Sequence, residues 1–313
     1  MRKSFVPMLL LMLLTVSFSG KAQLNPVSFF DNKGVVRIQT TELDALADTI
    51  AVIYHRADDI VWSRAVYKVI DMRDKQNYQL YFPTRPNDKY RSLFRVILEA
   101  ICDDTKGVNV YRKNVREIEP SFVDSEKLDG NDLSNVFMFN TEQEDNLIQI
   151  DPITQSRKIE EYRYMEYTKN QLKFLVLEVY FFNKHTSRMH SKIMAIAPLY
   201  PLHPYRTATS NQSMQYFQES ILCWILFDEL RPFLATQMVI PKGNDTQRLT
   251  YDDFFTQDLF ASYLLGDSNM YNRMLLDYGA IIPDIDKFSV YIKREQKRIE
   301  AELLNFEQDI WEY

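Results

Sequence analysis

The chain is short of glycine, cysteine and histidine, with 7, 2 and 4 among 313 residues. So little glycine argues against phosphate-cradling loops, flexible linkers and glycine-punctuated repeats. Cys102 and Cys223 show no CxxC or other ligand spacing. Cys102 closes a predicted helix and Cys223 lies in an apolar run, which favours two core thiols over a disulfide. His55, His185, His190 and His203 lack an HExxH or HxH frame. His185 and His190 flank a predicted turn and read as surface residues. No GxSxG and no framed Cys–His arrangement is present. Adjacent carboxylates such as Asp58-Asp59 and Asp252-Asp253 would point in different directions on a helix, so they read as caps rather than acid–base pairs. Positive charge is also scarce. Lys and Arg number 37 against 43 Asp and Glu, with no basic stripe, so no nucleic-acid partner is expected.

Long hydrophobic runs are missing too. The apolar stretch Met8–Val16 is shorter than the ~20 residues a membrane span needs. With Arg2 and Lys3 before it and Gly20-Lys21-Ala22 after it, it has the pattern of an export signal covering residues 1–22, cleaved between Ala22 and Gln23. Removing those residues takes the formal charge from −6 to −9. No cysteine follows the run, so any attachment to the outer membrane would have to come through a partner. The remaining length suits one large domain or two smaller ones.

What is abundant is aromatic: 19 Tyr and 20 Phe. Residues 23–57 read as an N-terminal arm followed by a short helix over Thr41–Ile53. In Asp58–Arg73, Trp62, Ala65, Val66, Val69 and Ile70 recur at helical spacing and predict an amphipathic helix. Asn77–Pro83 reads as extended. Tyr90–Ile101 predicts a second helix, and 103–157 an irregular segment with a short strand near Leu147–Ile153. From Ile159 the period becomes two. Ile159–Tyr167 predicts a strand, Leu172–Phe182 a central strand covered on both faces, and Met189–Pro198 its hairpin partner. Ile221–Phe227 is apolar but its period settles no type. Thr250 or Asp252 is placed to cap a helix. Phe288–Ile310 predicts a long helix with a heptad-like seam of Ile292, Ile299, Leu303, Phe306 and Ile310, internal or between subunits. Arg64, Arg73 and Arg231 are expected to pair with acids inside the fold. The whole predicts an α+β protein, with helices at both ends around a mainly antiparallel central sheet.

Several stretches carry a resemblance. They are Asp59-x-x-Trp62-Ser63-Arg64, Ile70-Asp71-x-Arg73-Asp74-Lys75, Asn77-Tyr78-x-Leu80-Tyr81-Phe82-Pro83, Glu178-x-Tyr180-Phe181-Phe182-Asn183-Lys184, Ile196-Ala197-Pro198, Glu229-x-Arg231-Pro232, Thr250-Tyr251-Asp252-Asp253-x-Phe255 and Asn305-Phe306-Glu307-x-Asp309-x-Trp311-x-Tyr313. In this order they resemble the GldN/PorN family over residues 58–313, with Tyr180 where many members have Trp. That resemblance implies a non-enzymatic periplasmic subunit of the type IX secretion and gliding-motility apparatus of Bacteroidetes. It would join an outer-membrane ring lipoprotein (GldK/PorK-like) in a ring, self-associate there, and couple to inner-membrane motor proteins (GldL/GldM-like). No cofactor is implied. The alternative is a periplasmic binding module or chaperone escorting secretion substrates. Tyr162, Tyr164, Tyr167 and Tyr180 are the expected partner contacts, because tyrosine is enriched where proteins bury one another.

The cleavage expectation is direct to check. Intact mass and N-terminal sequencing of envelope-purified protein should give a chain starting at Gln23. A chain retaining Met8–Val16 would contradict it.

Overall fold

The computed structural model describes residues 55–311 apart from 88, 104–106, 115–118, 141–144, 155, 172, 202–218, 243–248, 269–274 and 276–284. The expected signal segment, its cleavage site and the Thr41–Ile53 helix lie outside the described residues.

In chain order the elements are β1 (Ile60–Asp71), α1 (Tyr78–Tyr81), α2 (Leu93–Cys102), β2 (Val110–Arg112), α3 (Gly130–Val136), β3 (Met138–Asn140), β4 (Asp145–Asn146), β5 (Ile148–Ile150) and β6 (Arg157–Ile159). Then come α4 (Glu161–Asn170), β7 (Lys173–Asn183), β8 (Arg188–Pro201), β9 (Glu219–Ile221), β10 (Cys223–Leu226), α5 (Phe227–Thr236), α6 (Tyr251–Thr256), β11 (Tyr263–Asp267) and α7 (Ile285–Trp311). The main sheet has the order β11-β1-β7-β8-β10-β2, with β9 also on β8. All its pairings are antiparallel. The protein is therefore α+β around a mainly antiparallel sheet.

Two assignments made from periodicity are reversed. The stretch expected to be the first helix is β1, paired with β7 from Ile60↔Asn183 to Asp71↔Lys173. Ala65, Tyr67 and Val69 face one apolar cluster, whereas Val66 and Ile70 face clusters on the other side. A strand buried on both faces reads as a near-continuous apolar run, from which a helical spacing is easily drawn. Its β-branched and aromatic content fits the pleated surface. Asn77–Pro83, expected extended, contains α1. Conversely, most of the Ile159–Tyr167 stretch expected to be a strand is α4, with Tyr164, Tyr167 and Thr168 buried one turn apart. The helix at Leu93–Cys102, the both-faces-buried β7, its partner β8 and the long α7 form as expected.

The two faces of the sheet bury different clusters. On one, Ile70, Phe174, Val176, Ile196, Cys223 and Ile225 meet apolar residues of α2, α4, α5 and α6. On the other, Tyr67, Val69, Leu175, Leu177, Val179 and Trp224 pack together, with Phe122 edge-on to Tyr111. The 103–157 segment, expected to be irregular, contributes Leu128, Leu133, Phe137, Leu147 and Ile148 to the first cluster. Both cysteines are free; Cys223 is buried and Cys102 half-buried.

Polar pins fix the element junctions. The Asn77 side chain donates to the carbonyls of Asp71 and Ala261 and accepts from the Ala261 amide, all within 2.8 Å. Thr250 and Asp253 form a reciprocal capping box that starts α6. Arg231 of α5 grips Asp252 of α6 with Nε–Oδ1 2.7 Å and Nη2–Oδ2 2.9 Å, and both side chains are buried. Removing one member of such a pair leaves a buried charge uncompensated. Asp252→Ala should lower the unfolding free energy by about 3–5 kcal/mol in chemical denaturation. An apolar pair, Arg231→Met with Asp252→Leu, should lose much less. Equal losses in both variants would contradict this account.

Candidate interaction surfaces

The 27-residue helix α7 lies across the sheet face carrying Val66. Its Gln296 donates to the Leu264 carbonyl at 2.6 Å, Ile299 packs with Val66 and Leu264, and Glu302 pairs with Arg64 at 3.0 Å. Phe306 stacks on Trp62 with ring centroids 4.3 Å apart. The seam expected along this helix is thus filled within the subunit at Ile292, Ile299, Leu303 and Phe306. Arg64 also donates Nε to Asp267 of β11 at 2.7 Å. The helix is thereby tied to a buried carboxylate through the Arg of the Trp-Ser-Arg motif.

Beside this seam lies a polar group of β1 and β7. Lys68 Nζ sits 2.5 Å from Glu178 Oε2 and donates to Tyr180 Oη at 2.7 Å. Glu178 is 1% exposed. Burial pulls the Lys68 pKa down, but the Glu178 carboxylate and Tyr180 hydroxyl outweigh it and hold it at about 12. Burial and then Glu178 raise Asp258. A fixed ammonium and carboxylate at this spacing neutralise each other, which fits a structural lock. Lys68 and Tyr180 edge a cavity of about 460 Å³ shared with Leu264, Leu303 and Glu300.

The described pairing of the other two arginines follows expectation. Arg231 holds Asp252 as above, and Arg73 forks onto Asp71. Arg73 stands at the mouth of a second, open groove of about 690 Å³ at the far end of β1. Met72, Tyr78, Tyr81 and Phe82 line it, together with Asp74, Lys75 and Lys242. Phe82 is 46% exposed.

His185 is exposed, as expected, whereas His190 is half-buried. His190 reaches back to His55, with ring centroids 4.4 Å apart, and no contact joins it to His185 among the described residues. Phe181 is edge-on to His55 at 4.9 Å. Asn183 Nδ2 lies 2.8 Å from His55 Nδ1, and Thr186 Oγ1 lies 3.1 Å from His190 Nε2. Among the described residues no group of three or more His, Cys, Asp or Glu could hold a metal.

The four tyrosines expected at a partner contact separate. Tyr164 and Tyr167 are core residues: Tyr164 hydrogen-bonds Ser92 Oγ at 2.9 Å, and Tyr167 stacks on Phe94 and Tyr200. Tyr180 is half-buried in the Lys68–Glu178 group. Tyr162 alone of the four is exposed, at 58%, beneath the Arg163 guanidinium. The helical spacing of Tyr164, Tyr167 and Thr168 was the available sign of the inward pair. The groove at 72–82 has no sequence sign, because it joins the end of β1 to the turn of α1 and Lys242 from far along the chain.

These features define an α+β protein whose charged groups lock element junctions and whose open surface offers aromatic-lined grooves. No described helix is long and apolar enough to cross a membrane. Residues 55–312 match the family model described as gliding motility associated protein GldN, and the chain belongs to that family. A comparison with curated proteins gave no match.

The His55–His190 pair generates a pH dependence. Burial, then His190 and Lys192, push the His55 pKa down to about 4 from its ordinary 6.5. The folded protein therefore resists a proton that the unfolded chain accepts. The contribution is complete above pH 6.5, falls as pH drops from 6.5 towards 4, and is flat below. Between pH 7.5 and pH 5 this should cost about 2 kcal/mol. His55→Phe should lose less stability over that interval in paired thermal melts, whereas an identical loss in both proteins would contradict the assignment.

Proposed function

We propose that the chain is a non-enzymatic structural subunit of the periplasm. In this reading it assembles with an outer-membrane ring lipoprotein of the GldK/PorK kind into the ring of the type IX secretion and gliding machinery. That ring is coupled to inner-membrane motor proteins of the GldL/GldM kind. The observation that carries the reading is membership of the gliding motility family across residues 55–312. Two features support it. The export pattern of residues 1–22 fits delivery across the inner membrane. The buried charges described above, Lys68 with Glu178, Arg64 with Asp267 and Arg231 with Asp252, are each spent on joining elements.

The test is recovery of the tagged mature protein from detergent-solubilised envelopes, with mass spectrometry and negative-stain imaging. Rings containing a lipoprotein in comparable amount are expected. A monomer carrying assorted exported chains would replace this reading with an escort role. Within the ring, this reading gives a partner contact to Tyr162, the exposed one of the four expected tyrosines. Tyr162→Ala should reduce co-recovery of the lipoprotein without lowering the melting temperature, and unchanged recovery removes Tyr162 from the contact.

A further inference from the structure

The stretch Ile70–Pro83 has an inward and an outward half. Inward, Asp71 takes Arg73, Asn77 pins Ala261, Gln79 donates to the Ile240 carbonyl, and Leu80 is fully buried. These account for the fold of the stretch. Outward, Tyr78, Tyr81 and Phe82 line a groove with Met72, and its charged lining is three cations, Arg73, Lys75 and Lys242, against one carboxylate, Asp74. Both lysines are exposed, and neither has an ion pair among the described residues. On a chain with net charge −6, this is a local basic, aromatic surface.

The chain also carries a segment of opposite character. Residues 307–313, Glu-Gln-Asp-Ile-Trp-Glu-Tyr, hold three carboxylates, no cation and two large aromatics. Trp and Tyr are the commonest anchors of protein interfaces, and opposite charges at the rim set register and approach.

The geometry separates this segment from the groove of its own subunit. Gln296 touches Leu264, which pairs with Lys68; Glu302 touches Arg64; Phe306 touches Trp62. Helix α7 thus crosses the sheet obliquely from β11 towards β8, and its C-terminal end points to the beginning of β1. The groove lies past the end of that strand. Trp62 and Met72 are ten residues apart on β1, about 33 Å. Seven residues span at most about 25 Å even fully extended, and these start out in the wrong direction.

We propose that residues 307–313 of one copy dock in the Met72–Phe82 groove of a second copy. Trp311 or Tyr313 seats against the aromatic wall, and Asp309 and Glu312 face Lys75 and Lys242. Complementary surfaces at opposite ends of one molecule give a heterologous contact, which builds rows that close into a ring only if the rotation per subunit closes. The proposal rests on the assembly reading above for its biological setting and supplies that reading with a subunit-to-subunit contact.

The test is charge exchange on the full mature chain, read by sedimentation velocity over a concentration series. Wild type should form concentration-dependent species larger than a monomer. Lys75→Glu with Lys242→Glu, and separately Asp309→Lys with Glu312→Lys, should each weaken association by about tenfold or more. All are substitutions of groups outside the described core, and circular dichroism and melting curves establish that each variant is folded. A chain carrying all four changes should regain association. Wild type that stays monomeric, reversals that associate like wild type, or a fourfold variant that does not recover would each overturn the docking. Envelope pull-down separates the two ideas. Intact rings with Lys75→Glu/Lys242→Glu overturn the docking and keep the ring. Loss of the lipoprotein with self-association unchanged assigns the groove to that other protein and overturns the docking. Absence of rings in wild type removes the ring reading, and sedimentation alone then decides the contact.

Discussion

The three-strand ribbon β1-β7-β8 is the constraint on which the rest of the molecule depends. Its strands pair along nearly their whole lengths, and β7 is buried on both faces. Such a strand cannot stand at a surface, so each side needs a cover, and the sheet is obliged to sit in the middle. One face takes the helices α2, α4, α5 and α6; farther along the same face, α7 takes over at Val66. The Lys68–Glu178 pair lies on that face too, between the two helical covers. A carboxylate 1% exposed is tolerable there because its ammonium partner is 2.5 Å away. The same site would strongly penalise loss of either partner.

How much of this was legible in the sequence depended on whether burial was one-sided. α2 and α7 each bury one stripe, and periodicity found both. β7 declared itself by an unbroken apolar run. The same two-sided burial hid β1: with Val66 and Val69 buried on opposite faces, spacing no longer distinguishes a helix from a strand, and tertiary context decides. In α4 the error ran the other way, because Tyr162 and Tyr164 alternate while the inward set is Tyr164, Tyr167 and Thr168. Here the Glu- and Lys-rich surroundings were the better guide.

The interaction surfaces were harder to read for a related reason. Aromatics that wall a groove and aromatics that fill a core look alike in a sequence. Only the fold shows that Asn77 and Leu80 are turned in, that Phe82 is turned out, and that Tyr81 divides its surface between core and groove. The arginines were more transparent. Arg64, Arg73 and Arg231 all found carboxylates within the subunit, and that of Arg64, Asp267, comes from the opposite half of the chain.

The attachment of α7 has a mechanical consequence. Its contacts, from Gln296–Leu264 through Ile299 and Arg64–Glu302 to Trp62–Phe306, follow one another along the helix as it crosses obliquely from β11 over β1 towards β8. A pull along the helix axis loads all of them together, as in shear. A pull at right angles from the Phe306 end loads them one after another, as in unzipping. The same helix therefore acts as a stiff strut for tension along its own axis and as a tear strip for tension across it, so the direction of an applied force decides whether the subunit holds or opens.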